Sequence, residues 1–208
     1  MGASLQVEAI REVTAGAPPG VDAPRGVTVE ASPQADGMRE RFESAPAFRE
    51  FLESVHDKRD LWHEIHARAR VPDDVLERAR RLGGPWRFLV LTEDWCGDGV
   101  NTLPFLARLV EAVPGLEMRV LSRDANPDLR DAHLTEGTRS IPVVIVLDEE
   151  YREVEWWGPR PAPVQDHFLR TIKPLPKEER FPKLRAWYAR DRGRTALREI
   201  LDLIPVPA

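Results

Sequence analysis

The chain has a single cysteine among its 208 residues, Cys96. It lies in Trp95-Cys96-Gly97-Asp98-Gly99, directly after a short apolar run and directly before residues at helical spacing. A cysteine at a helix N-terminus meets free N–H groups and the positive end of the helix dipole, and both stabilise a thiolate. The thiolate is the form that attacks a disulfide or another electrophilic sulfur. A lone cysteine is also a common small apolar core residue, so position alone leaves both uses open. Glu93, Asp94 and Asp98 are close in sequence and oppose the thiolate. Asp98 has two readings of its own: a cap on the free N–H groups of the first turn, or a carboxylate that handles the Cys96 proton.

His63 and His66 stand three apart, a spacing that presents two metal ligands on one helix face. A third ligand is not evident nearby, so they read as solvated or packed histidines and no metal is expected. A phosphate-cradling glycine loop and a serine-centred triad motif are both absent from the sequence.

These residues need a scaffold, and the apolar pattern supplies one. Trp86 to Thr92 reads as a buried strand, Gly99 to Val113 as a helix, Leu116 to Leu121 as a strand and Pro127 to Leu134 as a short helix. Val143 to Leu147 is β-branched and strand-like, and Tyr151 to Trp157 is its expected hairpin partner across Asp148-Glu149-Glu150. Residues 162–172 read as a helix. The order β-α-β-α-β-β-α predicts an α/β fold with a mixed sheet flanked by helices. Before it, residues 1–37 read as a loose tail with a short strand at 27–29. Residues 38–84 read as a helical extension opening at Ser44-Ala45-Pro46, whose Phe48, Phe51, Leu52, Trp62 and Ile65 must pack on the core. Residues 173–208 read as an extension with one further helix, about Phe181 to Leu203, that has no evident place in the core.

Composition narrows the function. The net charge of −5 gives no reason to expect nucleic-acid binding, and the arginines between Lys173 and Arg198 read as a solvated helix. With one cysteine an internal disulfide is excluded, which fits a reducing cytoplasm. A run long enough to span a membrane is missing.

Several parts of the chain resemble the thioredoxin family. Trp95-Cys96-Gly97 matches the start of its Trp-Cys-Gly-Pro-Cys motif. Asp124-Ala125-Asn126-Pro127 resembles its Asp-x-Asn-Pro stretch, and Gly137-Thr138-Arg139-Ser140-Ile141-Pro142 resembles the segment ending in its cis-proline. Gly158 matches the glycine after its last strand. The resemblance spans residues 85–172 and implies a thioredoxin-like domain with Cys96 as nucleophile and a cis peptide at Ile141-Pro142. Asp98 and Gly99 depart from it, replacing the motif proline and the resolving cysteine. So do Val90, six residues before Cys96 where the family keeps a buried acid, and Val120, which aligns with the family lysine. The nearer resemblance is to monothiol bacterial proteins carrying Trp-Cys-Gly-Asp.

The resemblance places Arg139, Ser140, Ile141, Pro142, Trp157, Gly158 and Arg160 beside Cys96. The Ile141 backbone is expected to pair with an extended peptide or a glutathione-like thiol. Arg139 or Arg160 could take a ligand carboxylate or be a plain surface charge. Trp95 and Trp157 could form an apolar shelf or pack in the core. The expected activity is monothiol exchange with protein or small-molecule disulfides, resolved by an external thiol such as glutathione and needing no resident cofactor. Replacing Gly99 with Cys is expected to restore some dithiol activity, limited by the absent acid at Val90. The competing readings are a redox-inactive module that keeps the peptide groove, and, ranked last, a glutathione-dependent iron–sulfur site like that of monothiol glutaredoxins.

Overall fold

The computed structural model describes residues 33–206. The expected strand at 27–29 and most of the expected tail lie outside them. Four helices come first: α1 (Pro33–Ser44), α2 (Phe48–Ser54), α3 (Arg59–Arg68) and α4 (Asp73–Leu82). Then follow β1 (Trp86–Thr92), α5 (Gly97–Ala112), β2 (Leu116–Ser122), α6 (Pro127–Ala132), β3 (Val143–Leu147), β4 (Glu153–Trp157) and α7 (Ala162–His167). A π-helical turn, Phe168–Ile172, continues α7, and α8 (Lys177–Asp191) and α9 (Arg194–Asp202) complete the described chain.

Among the described residues the sheet has four strands in the order β2-β1-β3-β4. β1 pairs parallel with β2 and antiparallel with β3, and β3 pairs antiparallel with β4. The apolar run of β1 is continuous because both sheet faces are covered. Phe88, Val90, Val144 and Val146 face the larger core with Leu103 and Leu106 of α5. Leu89, Leu91, Val143 and Ile145 face a second core with Phe42 of α1 and Leu129 of α6. The mixed sheet flanked by helices is the α/β architecture that the element order predicts.

Expectations at both ends of the described residues are corrected. Residues 33–37 belong to α1, not to a tail, and Ser44 closes that helix where an opening was expected. The next helix instead starts from Ala47, whose N–H is accepted by Glu50 Oε2 at 2.7 Å. Proline and glycine near 18–37 masked this start, since the apolar stripe of α1 is only Ala35, Met38 and Phe42. The single last helix is in fact two. Arg192 and Gly193 both take left-handed backbone angles between α8 and α9 (φ 54° and 77°). Nor is α9 peripheral: Ala196, Leu197, Ile200 and Leu201 are buried in the main core. The helix is legible in the sequence, but its partner surface is not.

Candidate functional site

β1 ends at Thr92, and a short loop carries the chain to Cys96, the N-cap of α5. The N-terminal helices pin that loop. Asp94 accepts the backbone N–H groups of His56 and Asp57, each at 3.0 Å, through its Oδ2. Trp62 Nε1 donates to the Asp94 carbonyl at 2.7 Å, and Lys58 Nζ donates to the Trp95 carbonyl at 2.6 Å. Burial would raise the Asp94 carboxyl, but the His56 and Asp57 N–H groups hold it below its ordinary range.

Cys96 Sγ accepts the N–H of Gly99 at 3.2 Å and donates to the Ile141 carbonyl at 3.3 Å. The peptide between Ile141 and Pro142 is cis. Helix end and proline loop therefore meet at the sulfur. The residue is only 4 % exposed. Burial, then the nearby Asp98 charge, push the thiol up to about 11, against the backbone N–H groups of Gly99 and Asp98 and the Thr92 hydroxyl. The helix end and the carboxylates were opposed in the sequence; desolvation settles the contest for the neutral thiol.

Asp98 does not cap the helix. It is buried beside Cys96, where Arg160 Nη2 pairs with Oδ2 at 2.6 Å and the Tyr188 hydroxyl donates to Oδ1 at 2.9 Å. Burial raises its carboxyl, while the Arg160 charge and the two hydrogen bonds pull it back. Arg160 is held in turn by Gln165 Oε1 at 3.0 Å and lies over the Phe168 ring at 4.1 Å. Burial and the Asp98 charge push the Tyr188 phenol well above its ordinary range. Tyr188 is the participant that sequence reasoning missed. Its segment reads as a solvated helix with no evident place in the core, so nothing local in the sequence points Tyr188 at Asp98.

The remaining expected site residues divide. Ile141, Pro142 and Gly158 lie against the site. An added Cβ at Gly158 (φ 149°) would collide with the Pro142 carbonyl, so this crossing needs glycine. Arg160 reaches the site, but the carboxylate it holds is the protein's own Asp98. Arg139 points elsewhere: its guanidinium pairs with Asp131 at 2.8 Å on the surface. Ser140 shares a hydrogen bond with Thr138 at 2.8 Å. Trp95 is 43 % exposed with the Arg123 guanidinium 5.1 Å from its ring centre. Trp157 is buried in the main core, its Nε1 donating to Glu199 Oε2 at 2.7 Å, so the two tryptophans form no shelf. Gly99 is packed tightly. A Cβ there would lie 2.8 Å from Thr92 Oγ1, so a cysteine at this position must displace the Thr92 side chain. Val90 and Val120 are direct register partners on β1 and β2, both buried, where the resemblance marks a missing acid and lysine.

The sequence profile of the family described as Thioredoxin matches residues 45–175. The chain belongs to this thioredoxin family. The match begins in the helices ahead of β1 and so takes in α2, α3 and α4 as well as the sheet. A protein of unknown function from Pseudomonas aeruginosa, with a crystal structure at 1.5 Å, is 26% identical, covering 80% of this chain and 95% of that one at a TM-score of 0.64. An HIV epitope-scaffold is 24% identical, covering 82% of this chain and 98% of that one at a TM-score of 0.65, and shares the fold. No curated protein matches. Among the described residues, no helix of this thioredoxin-family chain is long and apolar enough to cross a membrane.

Proposed function

We propose that this thioredoxin-family protein performs monothiol disulfide exchange through Cys96, in a reducing cytoplasm, with protein or small-molecule disulfides as substrates. The observation that carries the reading is the sulfur's position: Sγ sits at the N-terminus of α5, accepting the Gly99 N–H, and against the carbonyl preceding the cis-proline. In the exchange, Cys96 loses its proton to solvent and the thiolate attacks one substrate sulfur. A Cys96–substrate bond forms as the substrate disulfide breaks, and the departing thiolate takes up a proton. An external thiol, glutathione-like in class, then attacks the mixed disulfide and frees Cys96. A second equivalent of that thiol completes reduction of the substrate, so two external thiols are oxidised per cycle. Val90 and Val120, where the resemblance marks a missing acid and lysine, supply no proton acceptor.

Burial of Cys96 favours one alternative, a redox-inactive module that uses the groove for binding. A thiol near pH 11 leaves a thiolate fraction on the order of 10⁻⁴ at pH 7. The iron–sulfur reading needs a sulfur presented at a subunit surface, and the burial of Cys96 argues against it. The test is incubation of the purified protein with glutathione disulfide, followed by intact mass. Wild type should acquire a mixed disulfide that persists until thiol is added, and Cys96→Ser should not. Efficient reductase-coupled turnover without a small thiol overturns the monothiol cycle. If Cys96→Ser changes neither exchange nor any partner interaction, the binding module is correct.

A further inference from the structure

α8 closes the site from outside the sheet. Phe181, Leu184 and Tyr188 share one helix face, at i, i+3 and i+7. The Phe181 ring lies against Gly97, so closely that a Cβ there would meet Cε2 at 2.8 Å. Tyr188 reaches Asp98 one residue further on. Together they cover the first turn of α5, beside Cys96.

The cover is built differently from what it covers. α8 buries Leu184 and Tyr188 in a small cluster with Val164 and Ile172, edged by Phe168 and Trp187 and separate from the main core. α9, only two residues later, is anchored in the main core. Between them stand the left-handed Arg192 and Gly193. Gly193 packs closely against Phe105 of α5, since a Cβ there would collide with its ring. A hinge at a fixed point thus joins a firmly anchored helix to a weakly anchored one. Tyr188 and Arg192 also line a cavity of about 220 Å³ with Ile65, Asn101, Phe105 and Arg185.

We infer that α8 is a lid on Cys96, latched by the Tyr188–Asp98 hydrogen bond and hinged at Arg192–Gly193, and that a substrate reaches the sulfur only when the lid lifts. Small clusters attached through a backbone break open at lower free energy than the main core. When α8 lifts, Asp98 loses Tyr188 but keeps Arg160, which comes from the segment between β4 and α7. The carboxylate thus stays paired while the thiol is uncovered. The inference rests on the exchange reading for its purpose, but its test does not.

The experiment is iodoacetamide labelling of Cys96 in the folded, full chain at one pH, followed by mass and repeated at low urea concentrations. Local lifting of α8 predicts slow labelling of wild type that hardly changes with urea below the unfolding transition, because little surface is exposed. Tyr188→Phe keeps the ring and removes the latch, so it should label about tenfold faster or more, as expected for a lost hydrogen bond to a charged group. Phe181→Ala should also label faster, and serves if Tyr188→Phe folds poorly. The lid is overturned if wild-type Cys96 labels as fast as a cysteine in a short peptide. It is overturned equally if both variants label at the wild-type rate, or if labelling follows urea as steeply as global unfolding. Fast wild-type labelling together with mixed-disulfide formation leaves exchange standing without a lid. Gated labelling without exchange leaves a lid over a binding groove.

Discussion

Helices outside the sheet reach the segment around Cys96 from two sides, and the two sides are built unlike each other. α2 and α3 hold Asp94 and Trp95 from one side, and their Phe48, Leu52 and Trp62 are continuous with the main core. α8 holds Gly97 and Asp98 from the other side through a cluster of its own. The first set fixes where Cys96 stands. The second decides whether it is covered. A side chain that joins the main core cannot leave without the whole domain unfolding, whereas one in a satellite cluster can.

The contrast can be broken most forcefully at Trp62. It is fully buried and donates to the Asp94 carbonyl. Trp62→Ala should cost about 3–5 kcal/mol, read as a lowered urea midpoint, with Cys96 labelling rising only in step with global unfolding. Asp98→Asn comes next. It leaves the Arg160 guanidinium without its buried carboxylate, a loss of about 3 kcal/mol or more. The same change removes a negative charge that raises the Cys96 thiol, so thiolate absorbance should titrate below the wild-type value of about 11.

The thiol itself makes stability depend on pH. Its folded value is raised from 9.0 to about 11, so between these values the unfolded chain releases a proton that the folded chain keeps. Stability should therefore fall as pH rises through that window, by on the order of 2 kcal/mol. Cys96→Ala should flatten this part of the wild-type curve, leaving the contribution of Tyr188. Gly99→Cys should destabilise by about 1–2 kcal/mol through overpacking against Thr92. It should give little reductase-coupled turnover until Thr92→Ala is added, and ready turnover by the single variant would show that Thr92 yields. The smallest effect belongs to Arg139→Ala, whose ion pair is on the surface. Neither the urea midpoint nor the rate of mixed-disulfide formation should move.

Much of the scaffold could be read from residue order. Val143 to Leu147 is a strand with the predicted bounds because five apolar residues in a row need two covered faces. Cys96 capping α5 follows from Trp95-Cys96-Gly97 after an apolar run. What could not be read depends on distance along the chain. The partner of Asp98 is 90 residues away in Tyr188, and a helix stripe reports that a face is buried without reporting against what. Arg160 was legible as a site residue, but its occupation by Asp98 rather than a ligand was not. The direction of the Cys96 shift was equally hidden, because burial is set by tertiary packing that the local sequence does not report.

The facing pair Val90 and Val120 has a kinetic consequence. A mixed disulfide on Cys96 has neither a second cysteine in the chain nor a carboxylate at these positions to hasten its release. Its breakdown is then first order in external thiol, and its half-life is inversely proportional to that thiol's concentration. On the exchange reading, the number of partner molecules held covalently at any moment measures how reduced the surroundings are.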